Sequence, residues 1–135
     1  MFIEMLLAID HLHSFHILHR DIKPANIFLG ENNTVKFGDL GIARELDNAK
    51  DYAMTEIGTP YYLSPEICKG EPYNCKTDVW SLGCVLYELC AKIVPFLGKN
   101  KLHLMQNIIG TKYPPISSAY SRDLSEIIRL MLIKD

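Results

Sequence analysis

The sequence has few of the features that mark membrane, secreted or nucleic-acid-binding proteins. No apolar run is long enough to cross a bilayer. The apolar start, residues 1–7, lacks the basic leader and the small-residue cleavage site of a signal peptide. Fourteen Lys and Arg against sixteen Asp and Glu leave a formal net charge of −2, which argues against binding to nucleic-acid phosphates or anionic lipid. We therefore expect neither nucleic-acid binding nor membrane insertion.

Disulfide and metal patterns are also scarce. The four cysteines form no C-x-x-C pair. Two of them, Cys84 and Cys90, lie in or directly after a predicted buried helix, which favours free thiols in a reducing compartment. His13 and His16 have the i, i+3 spacing of a helix face, but no acidic or cysteine ligand falls at a matching position nearby. We interpret these two and His11 as ordinary helix-surface and loop histidines.

What remains is the pattern of a globular, mainly helical protein with 48% hydrophobic and 22% charged residues. Apolar residues at helical spacing predict helices over about residues 2–14, 78–89, 102–109 and 121–132, the last with Ser121 as its N-cap. The second is apolar nearly all round, as is typical of a central helix. Residues 27–29 and 35–37 predict two short strands joined by a polar turn. The predicted fold class is α+β, mainly α.

One polar stretch contains the groups that phosphoryl transfer requires. Residues 19–26 read His-Arg-Asp-Ile-Lys-Pro-Ala-Asn, and Asp39-Leu40-Gly41 follows the predicted hairpin. Transfer from ATP needs a carboxylate to orient the attacking hydroxyl, oxygen ligands for Mg²⁺, and cations to offset the phosphoryl charge. Asp21, Lys23, Asn26 and Asp39 supply these groups. His-Arg-Asp alone would be an unremarkable surface tripeptide, but the full string in this context is specific.

Over essentially its whole length the sequence resembles the C-terminal lobe of a eukaryotic protein kinase. The resemblance implies a helical lobe with a small β-hairpin at the active-site cleft. It also implies transfer of the γ-phosphate of ATP, with Mg²⁺, to Ser or Thr of protein substrates.

The same resemblance implies roles for individual residues. Asp21 would be the catalytic base, and Lys23 would contact the transferred phosphate of ATP. Asn26 and Asp39 would bind Mg²⁺. Phe28 would form the apolar floor under the adenine ring.

Further positions resemble regulatory and structural residues of such kinases. Arg20 would pair with a phosphorylated residue of the activation segment, residues 39–66. Thr59 would tie that segment to the catalytic Asp and Lys, which favours Ser/Thr over Tyr specificity. His19 would be a packing and hydrogen-bonding residue. Asp78 would brace the backbone of the catalytic loop, although a simple helix N-cap is a compatible interpretation.

Longer motifs narrow the resemblance to the NIMA-related (never-in-mitosis) kinases. They include residues 57–66 (Ile-Gly-Thr-Pro-Tyr-Tyr-Leu-Ser-Pro-Glu), residues 82–89 (Leu-Gly-Cys-Val-Leu-Tyr-Glu-Leu), and Leu40 in place of the commoner Phe. In that family the activating phosphosite lies a few residues before Gly-Thr-Pro, where Thr55 stands; an ordinary loop hydroxyl is the alternative. The resemblance implies cell-cycle roles and a cytoplasmic location, with the centrosome, cilium or nucleus as further sites.

Some parts of a complete kinase do not occur in these 135 residues. There is no Gly-x-Gly-x-x-Gly and no counterpart of the strand lysine or the helix glutamate of the N-terminal lobe. The Arg that normally pairs with the glutamate matching Glu66 is also missing, so we expect that carboxylate to lack its partner. Residues 1–135 are thus expected to be a partial kinase domain, without the N-lobe and the final helical region.

Two functional hypotheses follow from this composition. The chain is part of an active Ser/Thr kinase, or it is a catalytically inactive lobe that acts as a protein-binding module. The joint presence of Asp21, Lys23, Asn26 and Asp39 favours the first, because a binding module has no chemical need for that set. We expect the 135 residues alone not to phosphorylate casein.

Overall fold

A computed structural model of the chain describes residues 1–38 and 60–134. In chain order the described parts form α1 (Phe2–Ser14), β1 (Ile27–Leu29), β2 (Val35–Phe37), α2 (Pro65–Lys69), α3 (Lys76–Ala91), α4 (Lys101–Gly110) and α5 (Arg122–Met131). Short 3₁₀ helices at Pro24–Asn26 and Glu31–Asn33 flank β1. Within the described ranges, no helix has the length and apolar character needed to span a bilayer.

The predicted elements are confirmed. The four predicted helices correspond to α1, α3, α4 and α5, and the two predicted strands form an antiparallel pair. Ser121 caps α5 as predicted, because its Oγ accepts a hydrogen bond from the Leu124 N–H at 3.2 Å. The short helix α2 is additional to the prediction. Its signals are Pro65 at the first helical position and left-handed Gly70 (φ 72°) at its end.

The hairpin directly follows residues 19–26, the candidate catalytic loop. Ile27 pairs with Phe37 and Leu29 with Val35, and the turn closes through a hydrogen bond from Gly30 N–H to Thr34 O at 2.8 Å. Ile27, Val35 and Phe37 pack against the core beneath α1. The hairpin is thereby fixed to the helical body at the place where the loop meets β1.

Helix α3 organises the core because almost every position from Thr77 to Tyr87 is buried. On one side Leu82 and Val85 pack with apolar residues of α1 and with Ile22 of the candidate catalytic loop. On the other side Trp80 stacks on Phe96, with ring centroids 5.8 Å apart. Burial of each large apolar side chain contributes about 1.5–3 kcal/mol. The central helix predicted from its all-round apolarity therefore supports both the loop and the remaining helices.

The four cysteines are free thiols. Cys84 lies at the centre of α3, and burial raises the pKa of its thiol far above the ordinary range. Burial also raises the pKa of Cys68 to about 11. Because the thiolate is the reactive form, both groups are expected to be inert at neutral pH.

Candidate active site in the loop 19–26

One buried carboxylate of α3 holds the backbone of the loop 19–26 through hydrogen bonds. Asp78, 1% exposed in the first turn of α3, accepts a hydrogen bond from the Arg20 N–H on Oδ1 and one from the His19 N–H on Oδ2, both at 2.9 Å. This confirms the predicted brace. The N-cap interpretation is wrong, because Cys75 is the N-cap of α3 and Asp78 lies inside the helix.

The braced backbone is strained. Arg20 has φ of 67°, a left-handed conformation that costs a residue with a Cβ of the order of 1–3 kcal/mol. The hydrogen bonds from two consecutive N–H groups to one carboxylate offset this cost, since bonds to a charged group are stronger than neutral ones. Asp78 thus fixes the direction in which the chain enters Asp21.

Three predicted site residues meet at the next turn of the loop. Lys23 Nζ donates to Asp21 Oδ2 at 2.7 Å, and Asn26 Nδ2 donates to the same oxygen at 2.8 Å and to the Asp21 carbonyl at 2.8 Å. The 3₁₀ turn at Pro24–Asn26 makes this contact possible by returning Asn26 toward Asp21. Among the contacts with described residues, Oδ1 of Asp21 has no partner, so this oxygen is available to a substrate.

Asn26 is also oriented for a metal ligand. Both hydrogen bonds of its side chain use Nδ2, which leaves the amide oxygen as its remaining acceptor. Oxygen atoms are the ligands that Mg²⁺ prefers. The main-chain carbonyl of Asn26 accepts a hydrogen bond from the Gly38 N–H at 2.8 Å, so β2 returns the chain to Asn26 one residue before Asp39. These features fit a divalent cation at this end of the hairpin.

Phe28 presents an open aromatic ring beside the loop. The side chain lies on β1 and is 55% exposed. Its ring lies directly on the backbone of Gly38, where an added Cβ would be 2.3 Å from Phe28 Cε2. A glycine is therefore needed at position 38 for the ring to lie as it does. The exposed ring is suited to contact with a flat apolar ligand.

Arg20 and His19 are buried polar residues with unused donors or acceptors. Arg20 is 8% exposed, and its guanidinium carbon lies 5.6 Å from the centre of the Tyr73 ring. Its Nε and Nη2 find no hydrogen-bond partner among the described residues, and neither does Nε2 of His19. A buried guanidinium with unpaired donors is costly unless an anion meets it.

Comparison with known proteins identifies the family. The family described as "Protein kinase domain" matches residues 1–135 of the chain. The chain belongs to the protein kinase family. Human "Serine/threonine-protein kinase Nek5" is 55% identical over 128 residues, which are 94% of this chain and 18% of that protein. Mouse "Serine/threonine-protein kinase Nek1" is 52% identical over 127 residues, 94% of this chain and 11% of that protein.

A fungal relative agrees with these two. "G2-specific protein kinase nim-1" of Neurospora crassa is 50% identical over 113 residues, 84% of this chain and 13% of that protein. The predicted resemblance to the NIMA-related kinases is confirmed. The chain spans only 11% to 18% of the length of these three curated relatives.

Several residues that resemble kinase site residues lie outside the described ranges. They are Asp39, Thr55 and Thr59, together with the rest of the Asp39-Leu40-Gly41 motif. The packing role expected for His19 is confirmed: the side chain is fully buried, its ring meets Phe37 edge-on at 5.2 Å, and Nδ1 accepts from the Asp21 N–H at 3.4 Å.

His13 is a functional-site neighbour that the sequence interpretation missed. Its Nε2 lies 2.8 Å from Asp78 Oδ2 and its side chain is 16% exposed, so the prediction of an ordinary surface histidine is wrong for this residue. The buried residues Met5 and Ile9 of α1 are four positions apart, and His13 is the next position at that spacing. That spacing was the available signal. His11 and His16 are exposed, as predicted.

Thr77, rather than the Arg that the family resemblance implies, is the partner that the structure gives to Glu66. Its Oε1 accepts a hydrogen bond from the Thr77 hydroxyl at 2.7 Å, and Thr77 in turn lies 3.2 Å from the Ser64 hydroxyl. The carboxylate is half-buried. The first turn of α3 therefore stabilises both Glu66 through Thr77 and the candidate catalytic loop through Asp78.

Proposed function

We propose that the chain provides the catalytic loop of a serine/threonine protein kinase of the NIMA-related type, which phosphorylates Ser and Thr of protein substrates. The observation that best supports the proposal is that Lys23 and Asn26 both donate hydrogen bonds to one oxygen of Asp21. These bonds leave the second carboxylate oxygen for an incoming hydroxyl. Lys23, two residues after the aspartate, and Thr59 in Gly-Thr-Pro support Ser/Thr rather than Tyr specificity.

The chemistry follows from the charges in this cluster. Asp21 would orient the substrate hydroxyl and accept its proton as the oxygen attacks. The ammonium group of Lys23, already 2.7 Å from Asp21, would offset the charge that develops on the transferred phosphoryl group. ATP with Mg²⁺ supplies that phosphoryl group in this family. Asn26 and Asp39 would hold the cation, and Phe28 would support the adenine ring.

Residues outside this chain would complete the ATP site. The 135 residues contain no Gly-x-Gly-x-x-Gly, and the chain spans 18% of the length of human Nek5. We accordingly propose that residues 1–135 are the C-terminal-lobe part of a kinase domain, and that activity tests belong in the full-length protein.

The proposal is tested with the Lys23→Met variant of the full-length protein. With Mg·ATP and casein, the unaltered protein is expected to produce phosphoserine and phosphothreonine, and Lys23→Met to lower kcat by about 10²-fold, since loss of one charge-stabilising donor costs roughly 10²–10³. Lys112→Met removes a lysine from an exposed position and should leave kcat unchanged. Phosphotyrosine as the main product, or equal kcat for both variants, would refute the proposal.

Regulation by phosphorylation of Thr55 is a second part of the proposal. The support comes from Nε and Nη2 of buried Arg20, which have no hydrogen-bond partner among residues 1–38 and 60–134. Arg20 lies next to Asp21 in the loop. A phosphate carries strong acceptor oxygens and nearly two negative charges at neutral pH. It would satisfy these donors and hold the activation segment against the loop.

A double-mutant comparison tests this switch. In the full-length protein, Thr55→Ala and Arg20→Ala should lower kcat to a similar extent, and the double variant should be little worse, because both remove the same contact. Additive losses in the double variant would show that the two residues act separately. Arg129→Ala, at an exposed arginine of α5, is the control for loss of a guanidinium.

The cellular setting is proposed from the relatives. One is named a G2-specific protein kinase, and we extend a cell-cycle role to this chain, with protein substrates in the cytoplasm and at the centrosome, cilium or nucleus. Localisation of the tagged full-length protein through the cell cycle tests this part of the proposal.

A further inference from the structure

We propose that Tyr73 is a positioning residue for the phosphate-binding role of Arg20. Its aromatic ring holds the guanidinium in place, while the N–H donors of that group stay available to a phosphate. Tyr73 lies in the loop between α2 and α3, far from Arg20 in the sequence. This inference rests on the phosphorylation switch proposed above and adds a residue to it.

The two side chains make a contact between a cation and an aromatic ring. The guanidinium carbon of Arg20 lies over the Tyr73 ring, 5.6 Å from its centre, within the roughly 6 Å over which such a ring attracts a cation. Arg20 is only 8% exposed, and the attraction is stronger where water is excluded. The contact therefore favours one position of a long side chain that has many rotamers when it is free.

This contact leaves hydrogen-bond donors of Arg20 open. An aromatic ring attracts the positive charge through its electron-rich face and offers no oxygen acceptor to the N–H groups. Among residues 1–38 and 60–134, Nε and Nη2 have no hydrogen-bond partner, and no carboxylate forms an ion pair with this arginine. The planar fork of a guanidinium matches the oxygens of a phosphate. A carboxylate in place of the ring would occupy those donors, whereas the ring leaves them for a phosphate.

The loop that contains this ring is itself ordered against α3. The Asn74 carbonyl accepts a hydrogen bond from the Thr77 N–H at 3.0 Å, and Asn74 Oδ1 accepts one at 2.8 Å from the N–H two residues further on. In the same first turn of α3, Asp78 accepts the hydrogen bond of the Arg20 N–H at 2.9 Å. One short segment therefore holds Arg20 both by its backbone and by its guanidinium. Pre-organisation of this kind lowers the entropic cost of binding.

The place of Tyr73 in the fold allows its ring to be tested separately from the core. The side chain is half-buried, and neither the apolar cluster around Leu82 nor the one around Trp80 includes it among the described residues. Leucine at this position keeps an apolar side chain but has no aromatic face. Phenylalanine keeps the face and lacks only the hydroxyl. A role in packing predicts that both residues are tolerated, whereas a role in holding the cation predicts that only phenylalanine is.

The test measures kcat of the full-length protein with Mg·ATP and casein, on samples in which mass spectrometry confirms phosphate on Thr55. Tyr73→Leu should lower kcat by about tenfold, the order expected for loss of a desolvated cation–aromatic contact, whereas Tyr73→Phe should stay within about twofold of the unaltered protein. In the Thr55→Ala background Tyr73→Leu should cause little further loss, because no phosphate is there to bind. Tyr120→Leu, at a tyrosine that is 40% exposed, should retain full kcat.

Three results would overturn the inference alone: full kcat in Tyr73→Leu, an equal loss in Tyr73→Phe, or the same loss from Tyr73→Leu in the Thr55→Ala background. The last of these would indicate a structural role, because damage to the fold does not depend on the phosphate. Absence of phosphate on Thr55, or full kcat in Thr55→Ala, would overturn the switch and this inference together. Failure of the inference and failure of the proposed function are thus distinguishable. Far-UV circular dichroism confirms that each variant is folded.

Discussion

Replacement of Asp21 by asparagine is expected to lower kcat of the full-length protein by about 10²–10⁴-fold, the usual contribution of a general base. Asparagine has the size of aspartate, and its amide oxygen can still accept the hydrogen bonds that Lys23 and Asn26 make to Asp21 Oδ2. It cannot accept the proton of the attacking hydroxyl. The loss should therefore appear in kcat, with the KM for ATP little changed.

The control for this variant is Asp10→Asn, which makes the same chemical change at an exposed position of α1. It should retain full kcat. The Asp21 variant also separates the two functional hypotheses, because a purely binding lobe would keep every cellular phenotype after Asp21→Asn. Near-normal kcat in this variant, with Mg·ATP and casein, would show that Asp21 is not the base.

The elements that could be predicted from sequence are those whose structure is determined by residues close together in the chain. The apolar rows of α1 and α3 have helical spacing, and the strand pair is bounded by polar turn residues, so each element follows from its own residues. We could also predict the cluster of Asp21, Lys23 and Asn26, since all three residues lie within one short loop. Its chemical requirements limit which residue types can occur there.

What could not be predicted depends on contacts between distant residues. His13 and Asp78 are 65 positions apart, and only the packing of α1 on α3 makes the histidine a partner of the brace. Glu66 obtains its hydrogen bond from Thr77 in the same way. The left-handed backbone of Arg20 also has no sequence signal, since arginine has no preference for that conformation.

The two unpredicted contacts, His13 with Asp78 and Glu66 with Thr77, both involve the first turn of α3. Thr77 and Asp78 are adjacent, and one supports the end of the activation segment while the other supports the catalytic loop. Because the helix around them is buried on nearly all sides, neither residue can move without disturbing the core. The central helix therefore fixes the relative position of two parts of the site that are far apart in sequence.

Asp78→Ala is accordingly the second substitution that we expect to lower kcat of the full-length protein strongly. It would leave the His19 and Arg20 N–H groups and the His13 ring without their acceptor, and each buried donor left unpaired costs about 1–3 kcal/mol. Without the brace, Arg20 is expected to relax from its left-handed conformation and to shift Asp21 with it. Since small displacements of a catalytic group cost up to about 10²-fold in rate, we expect a loss in kcat of that order.

Hydrogen exchange measured by mass spectrometry separates this local loosening from global unfolding. In Asp78→Ala, exchange in the peptide that contains His19 and Arg20 should accelerate strongly, whereas peptides from α5 should change little. His13→Ala, which removes only one of the three contacts to Asp78, should give a smaller acceleration at the same place. Asp123→Ala removes an exposed first-turn aspartate from α5 and should affect neither exchange at the loop nor kcat. Unchanged exchange at His19 and Arg20 in Asp78→Ala would mean that the loop holds its strained shape without the carboxylate.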